Sequence, residues 1–471
     1  MTAPAIQRRT AGPSLAVVRA VTAASAQLGF ASNPFRGIEY SPAFLAFAAY
    51  LVAIITYRFP IGTASMVIAL LTLPLEKQSL RLPAVAALSF AMVAWAFFGL
   101  TTTQYPATVV TAVSDFAKVC GVVFVAINVI VTRARFRAIV VGSLILWVLF
   151  PLRGTMFAYF IYHGDVEGRA AWNYIYSNPN DLAALCLLQL GMAVGLLAVE
   201  RRRFFRLGTI CAVALLVLVI ILTQSRGAVI ALSVFGIIGG KKYFTNPKGI
   251  LIIAVLAGLV FAVAPDSVWR RFSTIKGSGS ADVMTIDPET VDLATRQDMG
   301  SSQQRLEIWS VARAIIAENP ITGVGLGAYP DAHSIMARRP GFHWLARGRR
   351  DTHSTYLNVM AETGIVGFAL FAAMIIMTIK ASRGARKAMQ ARAPALSLQL
   401  FNMEVGLYGY LVAAIWGSYA SFVPMYVHLV LMYVGSRLLL EQGGGQQVRG
   451  RRKFYPAPAP VVISHTAGAS V

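Results

Sequence analysis

The chain has 471 residues, of which 56% are hydrophobic and only 13% are charged, and its formal net charge is +22. Soluble domains usually contain roughly 25% charged residues, so this composition excludes an ordinary soluble globular protein. Repeated apolar runs that are long enough to cross a bilayer predict an all-α polytopic membrane protein with about twelve spans.

In chain order, residues 1–41 are interpreted as a cytoplasmic segment, because Arg19 interrupts the apolar stretch that a signal peptide would need. A large polar segment occupies 266–354, and the Gly/Gln-rich, basic, then Pro/Ala-rich tail over 441–471 is predicted to be disordered. About nine spans are predicted within 42–265 and about three within 355–440: 42–57, 61–75, 82–100, 106–131, 138–160, 181–199, 207–223, 226–240, 249–265, 355–379, 398–419 and 422–440.

Lysine and arginine cluster between these spans, and with twelve spans every cluster falls on the side of the N-terminus. The positive-inside rule makes that side the cytoplasm, so the 266–354 segment is predicted to lie on the other side. The same clustering argues against nucleic-acid binding and favours contact with anionic lipid headgroups. The clusters begin at Arg8, Lys77, Arg133, Arg201, Lys241, Lys380 and Arg449.

The polar segment contains one clear helical pattern, from Ser301 to Asn319. Ser301 and Gln304 fit a capping box, and Asn319-Pro320 fits a helix end. The glycines between Gly323 and Gly327 do not open a helix after a strand, so a tight turn is predicted rather than a dinucleotide-binding loop. The predicted apolar stripe consists of Leu306, Trp309, Ala312 and Ile316.

Three residues are predicted to converge at the outer membrane face. Arg226 follows the turn Thr223-Gln224-Ser225, Arg305 lies on the loop helix, and His353 stands where the loop re-enters the membrane. A guanidinium binds a diphosphate through paired, charge-assisted hydrogen bonds, and an imidazole can take a proton from a hydroxyl. Taken singly, each residue also has an ordinary interpretation: a snorkelling arginine, a solvated charge and a helix-capping histidine.

Other polar residues leave two interpretations open. Arg153 is either a further phosphate contact or a snorkelling residue, and Asp165 with Glu167 is either a divalent-cation site or a solvated loop. Asp115 and Lys118 are expected to neutralise each other inside the bundle, and Glu404 and His428 are expected to line a cavity. Anionic sugars or plain solvation account equally for His333, His343, Arg338, Arg339, Arg347, Arg349 and Arg350, and Tyr356 either stacks on a sugar or anchors the loop.

Ordered motifs over about 170–370 indicate a family. His353-Ser354, nine residues, then Gly364-x-x-Gly367 resembles the motif of bacterial O-antigen ligases. Three further stretches fit the wider O-antigen ligase/polymerase superfamily: Asn178 to Ala183, Thr223 to Gly227, and Arg305 to Trp309 followed by Asn319 to Gly325. Ligases, polysaccharide polymerases and protein O-oligosaccharyltransferases are alike in these motifs.

The resemblance implies a GT-C-like glycosyltransferase of the bacterial inner membrane, with a large periplasmic loop. Its implied donor is a glycan on undecaprenyl diphosphate, its acceptor is lipid A–core or a growing polysaccharide, and its reaction is inverting without a metal or other cofactor. By similarity, His353 is the general base, while Arg226 and Arg305 bind the diphosphate, with Arg153 and Tyr356 as further substrate contacts. The ligase reading is preferred, a repeat-unit polymerase is the alternative, and a transporter is the remote one.

Overall fold

The computed structural model describes residues 33–240, apart from Lys77 and Glu167, together with Gly258 and residues 293–450. For 293–302 and 442–450, only the backbone is described. Apart from Gly258, the predicted span 249–265 lies outside these residues, as do 1–32, 241–248, 266–292 and the part of the predicted disordered tail from 451. Disorder from 441 is wrong for 441–450, because the last helix continues to Gly450.

The described residues are helical and contain no β-strand. Their α-helices are α1 (Pro42–Thr56), α2 (Gly62–Thr72), α3 (Ala84–Phe98), α4 (Pro106–Val129), α5 (Arg133–Trp147), α6 (Arg153–Phe160), α7 (Pro179–Val199), α8 (Arg203–Leu222), α9 (Arg226–Gly240), α10 (Leu293–Glu318), α11 (Tyr329–Met336), α12 (Thr355–Met389), α13 (Pro394–Ala413) and α14 (Val423–Gly450). A π-helical turn over Val148–Leu152, which contains Pro151, joins α5 to α6.

Eight helices in the described part of the chain are long and apolar enough to cross a membrane, as a multi-pass membrane protein requires. Three shorter apolar helices, α1, α2 with its following turn, and α9, coincide with further predicted spans. The predicted all-helical, membrane-spanning architecture is therefore confirmed. The count of twelve and the GT-C likeness stay predictions.

Helix α7 lies at the centre of the bundle, since 83% of its most apolar window is buried. It packs most extensively against α13, and the contact depends on glycine. A Cβ atom built on Gly191 would lie 2.7 Å from the Cα of Gly406, and one on Gly195 would lie 2.8 Å from the carbonyl of Gln399. Without a hydrophobic driving force between helices in lipid, such close backbone approach supplies the packing energy.

Buried ion pairs hold one end of the bundle together. Arg135 contacts Glu76 at 3.1 Å, and Arg137 contacts Glu200 at 2.6 Å. Arg383 and Arg386 both bind Glu404, which is therefore part of this network rather than of a cavity lining. This end carries the start of α5, the end of α7 and the start of α13. The opposite end carries the start of α7, the end of α8 and the start of α12.

The polar segment forms a small helical unit in which α10 and α11 share a core. The predicted helix is present but begins at Leu293, so the capping box at Ser301 is wrong. The predicted stripe is also wrong in part, because Leu306 is 60% exposed. The buried face instead consists of Ile308, Val311, Ala312 and Ile315. This face is buried because it packs on α11 and α12, and local hydropathy does not encode that packing.

The predicted placement of Asp115 and Lys118 inside the bundle is wrong. The two side chains do form an ion pair, 2.7 Å long, but they are 66% and 64% exposed. The buried face of α4 carries Val109, Val113 and Phe116. At 100° per residue, the ion pair lies on the opposite face of that helix.

Candidate functional site

Five segments meet at the end of the bundle opposite the buried ion pairs. They are the start of α7, the turn between α8 and α9, the helix α10, residues 351–356 before and within α12, and residues 416–419 between α13 and α14. Of the three residues predicted to share a site, Arg305 and His353 belong to these segments, and Arg226 directly follows the turn as the first residue of α9.

The turn that precedes Arg226 is buried and cross-braced. Thr223, Gln224 and Ser225 are all at most 5% exposed, and Gln224 has a positive φ of 51°. Arg169 donates from Nε to the Thr223 carbonyl at 2.9 Å and from Nη2 to Oδ1 of Asn180 at 2.8 Å. This brace between the 161–178 connection, the turn and α7 holds the start of α9, where Arg226 is half-buried.

The start of α9 contacts the connection between α13 and α14 at Gly227, the residue after Arg226. A Cβ atom at Gly227 would lie 2.9 Å from the Trp416 ring, so only glycine allows this approach of α9. The chain then passes from Trp416 to Gly417, whose carbonyl accepts a hydrogen bond from the Thr355 hydroxyl at 2.6 Å. Thr355 is two residues from His353, so the turn and the histidine belong to one packed unit.

Helix α10 is tied to the histidine segment by Trp309. Its indole Nε1 donates to the Thr352 carbonyl at 2.9 Å. Arg305 precedes Trp309 by four residues and so lies on the same face of the helix. The guanidinium of Arg305, which is half-buried, interacts electrostatically with both His353 and Tyr419.

The segment that carries His353 is strained and tightly hydrogen-bonded. His353 has a φ of 48°, in the left-handed region that non-glycine residues seldom adopt. The hydroxyls of Thr352 and Ser418 lie 2.9 Å apart. Asp351 accepts at Oδ1 from the Ser418 hydroxyl at 3.0 Å and from the Thr352 amide at 2.8 Å. The backbone is thereby held in a conformation that costs about 1–2 kcal/mol.

Opposing charges act on His353. Burial lowers the pKa of the imidazole below its ordinary value, the carboxylate of Asp351 acts to raise it, and Arg305 and Arg350 lower it further. The net shift is downward, so the ring stays neutral to lower pH than a solvent-exposed histidine does. Its side chain is 43% exposed, which leaves it accessible to a ligand.

Tyr419 lies beneath this cluster. Burial, and then the carboxylate of Asp181, raise the pKa of its phenol well above the ordinary value. Its hydroxyl donates to the Asn180 carbonyl at 3.2 Å, and its amide donates to the Thr355 hydroxyl at 2.8 Å. Tyr419 therefore stays neutral, and its hydrogen bonds link α7 to the start of α12.

The glycine motifs dock the polar segment on α12. Gly364 interrupts α12 with φ 63° and ψ −168°, and its Cβ would lie 2.0 Å from the Ile321 carbonyl oxygen. The amides of Val324 and Gly325 donate to the carbonyls of Ala361 and Glu362, each at 2.9 Å. The predicted tight turn is confirmed, because Gly323, Gly325 and Gly327 all have positive φ.

Arg153 and Tyr356 make contacts of a different kind. Arg153 is exposed, and its guanidinium lies over the Phe157 ring at 5.0 Å. The Tyr356 hydroxyl donates to the Leu411 carbonyl at 2.6 Å, which anchors the start of α12 on α13. These contacts do not join either residue to the cluster around His353.

Some of the remaining predicted polar residues are buried or paired. His333 is fully buried, contacts the Gly348 carbonyl at 3.1 Å, and has its pKa lowered by burial. Arg349 binds Asp331 at 2.7 Å. Glu167 lies outside the described residues, and Asp165 accepts a hydrogen bond from the Gly168 amide. Within the described ranges, no three His, Cys, Asp or Glu residues form a group that could hold a metal ion.

Sequence reasoning missed several members of the cluster. The only local sequence signal for Asp351 is its position two residues before His353. Asp181 lies within the 178–183 motif, although no role was predicted for it. Arg169 and Ser418 carry no such signal, because Thr223 and Asp351, which they contact, lie 54 and 67 positions away in the chain. Arg350, for which the sequence offers only the interpretation shared by the other loop arginines, lies close enough to His353 to lower its pKa.

Comparison with known families gives one match. Residues 211–372 match the family described as O-Antigen ligase. The matched stretch begins within α8 and ends within α12, so it includes Arg226, Arg305, His353 and the Gly364 break. No curated protein matches the chain.

Proposed function

We propose that the chain is a member of the O-antigen ligase superfamily and that it is the ligase itself. In this proposal it transfers a glycan from undecaprenyl diphosphate to a lipid A–core acceptor. The match supports a membrane enzyme of the O-antigen ligase or polymerase type acting on lipid-linked glycans. The single observation that carries the catalytic part is that Arg305 acts electrostatically on an accessible His353.

His353 acts as the general base in the proposed reaction. An unprotonated imidazole nitrogen takes the proton of the acceptor hydroxyl as its oxygen attacks the anomeric carbon. The bond from that carbon to the diphosphate oxygen breaks on the opposite face, and the diphosphate leaves with the electron pair. The configuration at the anomeric carbon is therefore inverted. The lowered pKa of His353 keeps it in the required neutral form around neutral pH.

Arg226 and Arg305 stabilise the leaving diphosphate. Each guanidinium offers paired N–H donors that match phosphate oxygens, and a partly dehydrated site strengthens these bonds. Both arginines are half-buried and are carried on different elements, α9 and α10. A diphosphate held between them would place its charge beside His353. Because it is a good leaving group, little acid assistance is needed.

The distribution of charge supports an extracytoplasmic site. The basic residues Arg135, Arg137, Arg383 and Arg386 lie at the bundle end opposite the cluster. By the positive-inside rule, that end faces the cytoplasm. The proposed site then opens toward the periplasm, where a glycan carried by undecaprenyl diphosphate meets lipid A–core.

Gene deletion tests the ligase proposal. Surface glycans of the deletion strain are separated on a gel, and the lipid-linked pool is extracted in parallel. A ligase deletion leaves polymer on undecaprenyl diphosphate and removes it from lipid A–core. Core bearing at most one repeat unit would indicate the polymerase instead. Unchanged glycans on both carriers would contradict both activities.

Replacement of the proposed base tests the mechanism in the complemented strain. His353→Ala is expected to lower transfer by about 10²–10⁴-fold, the usual contribution of a general base, with normal membrane insertion. His343→Ala is the matched control, because His343 lies in the same polar segment and only caps a short turn there. Near-normal transfer by His353→Ala, measured as lipid A-linked polymer per amount of protein, would overturn the base assignment.

A further inference from the structure

We infer that Asp351 is the positioning residue of His353: it holds the imidazole through Nδ1 and leaves Nε2 free as the base. The inference rests on the proposed function, because it assigns a partner to the proposed base. The Nδ1 atom lies 4.0 Å from Oδ2 of Asp351, which is ion-pair range and about 1 Å longer than a hydrogen bond.

Asp351 is itself fixed, which a positioning residue must be. Its Oδ1 accepts two hydrogen bonds, from the Ser418 hydroxyl at 3.0 Å and from the Thr352 amide at 2.8 Å. Ser418 comes from the connection between α13 and α14 and also contacts the Thr352 hydroxyl at 2.9 Å. With Oδ1 held from both sides, Oδ2 is the oxygen left to face the imidazole.

The backbone brings the two side chains together. Only Thr352 separates them in the chain, and His353 has a left-handed φ of 48° where its ring lies 4.0 Å from the Asp351 carboxylate. Thr352 secures this conformation, since its hydroxyl donates to the Ser354 carbonyl and accepts from the Ser354 amide. In this inference, the backbone strain at His353 serves to orient the imidazole ring.

The contact selects one tautomer. A carboxylate facing Nδ1 favours the proton on that nitrogen, as in serine-protease-type triads, and Nε2 then keeps its lone pair. As Nε2 takes a proton during the reaction, the carboxylate stabilises the imidazolium that forms. A movement of about 1 Å would bring the 4.0 Å separation to hydrogen-bond distance when the acceptor closes the site.

The surrounding charges make the carboxylate necessary. Arg305 from α10 and Arg350 from the same loop both disfavour the imidazolium, and Asp351 is the acidic group that acts directly against them. Further charged or titratable groups face the cluster from the other packed segments: Arg169 from the 161–178 connection, Asp181 from α7, and Tyr419 beside Ser418. A base between cations would otherwise bind a proton poorly.

The test uses the purified full-length protein and needs no glycan substrate. Diethyl pyrocarbonate modifies the neutral form of an imidazole, so the pH dependence of His353 modification, followed by mass spectrometry, reports its pKa. In Asp351→Asn, the pKa of His353 is expected to fall, because the carboxylate that raises it is gone while both arginines stay. The Ser418→Ala variant is expected to give a smaller shift in the same direction.

Transfer in the complemented strain provides the second readout. Asp351→Asn is expected to lose about 10- to 100-fold of the transfer rate, less than the loss from His353→Ala, and Asp351→Glu to recover part of it. Asp331→Asn is the control, because it removes an exposed ion pair with Arg349 in the same segment. A merely structural role would lower the protein level without moving the titration of His353.

The outcomes separate the two proposals. An unchanged titration of His353 in Asp351→Asn overturns the positioning role. Near-wild-type transfer by Asp351→Asn does the same, even if His353→Ala is inactive, and the base assignment then stands alone. Near-wild-type transfer by His353→Ala removes the base and, with it, the reason for a positioning residue.

Discussion

At the scale of single residues, Arg305 has two separable effects. Its charge lowers the pKa of His353, and its planar guanidinium suits two phosphate oxygens at once. A lysine keeps the first effect and loses most of the second, because an ammonium is a point charge on a flexible stem. Glutamine loses both, so the pair of variants separates charge from geometry.

The expected results differ in pH dependence. Arg305→Lys should lower kcat/KM by about 10- to 100-fold and leave the acid limb of the pH–rate profile in place. Arg305→Gln should lower the rate further and move that limb to higher pH. The sign follows because removal of a nearby cation raises the pKa of His353, and the ring then becomes neutral only at higher pH.

The measurement is the pH profile of glycan transfer by the purified variants. Arg313→Gln is the matched control, since Arg313 is exposed on the same helix two turns further on. It should transfer glycan at the wild-type rate over the whole pH range. An acid limb that stays in place in Arg305→Gln would show that Arg305 does not act on the base.

At the scale of elements, the break in α12 connects the membrane bundle to the polar segment. Gly364 adopts a φ/ψ combination that is essentially restricted to glycine, and the carbonyl of Ile321 occupies the space of a Cβ. The amide of Ile365 donates to the Pro320 carbonyl at 2.9 Å across the same contact. The Gly-x-x-Gly half of the motif therefore docks the polar segment on α12, and the proposed base, His353, lies in the other half.

Gly364→Ala is expected to destabilise the protein by about 2–5 kcal/mol, the sum of backbone strain and overpacking. Gly384→Ala on the same helix is the control, because nothing lies within 4 Å of a Cβ there. That change should be neutral, or stabilising by up to about 1 kcal/mol through helix propensity. Thermal melting of the detergent-solubilised protein measures both, and a wild-type melting temperature for Gly364→Ala would contradict this account.

At the scale of the whole molecule, the buried Arg137–Glu200 ion pair and the proposed catalytic residues lie at opposite ends of the bundle. The Arg137–Glu200 pair is almost fully buried, with side chains 7% and 0% exposed. It lies at the C-terminal end of α7, whose N-terminal end carries Asn180 and Asp181. Asp181 and Glu200 are therefore separated by about 29 Å along the helix at 1.5 Å per residue.

Loss of one partner should therefore damage stability without affecting the chemistry. Glu200→Ala leaves a buried arginine without its carboxylate and is expected to cost about 3–5 kcal/mol. Glu318→Ala, which breaks an exposed pair with Arg339, should cost less than about 1 kcal/mol. Melting temperature and transfer per amount of folded protein are measured together; a large fall in transfer by folded Glu200→Ala would show that the two ends are coupled.

The sequence by itself determined the features that depend on neighbouring residues. Hydropathy located the apolar helices, and the motif around His353 and Gly364 indicated the family that the match over 211–372 supports. The helix containing Arg305 and the turn at Gly323 followed from local patterns in the same way. Each of these signals is contained within about thirty residues, so no knowledge of packing was required.

Only the tertiary structure decided which faces are buried and which distant residues meet. Asp115 and Lys118 turned outward, Leu306 was exposed, and Glu404 joined an ion-pair network, because partners distant in the chain select the buried face. The bond from Ser418 to Asp351 spans 67 positions, and that from Arg169 to Thr223 spans 54. Such contacts leave no periodicity in a single sequence, since the free energy that forms them arises when the whole bundle packs.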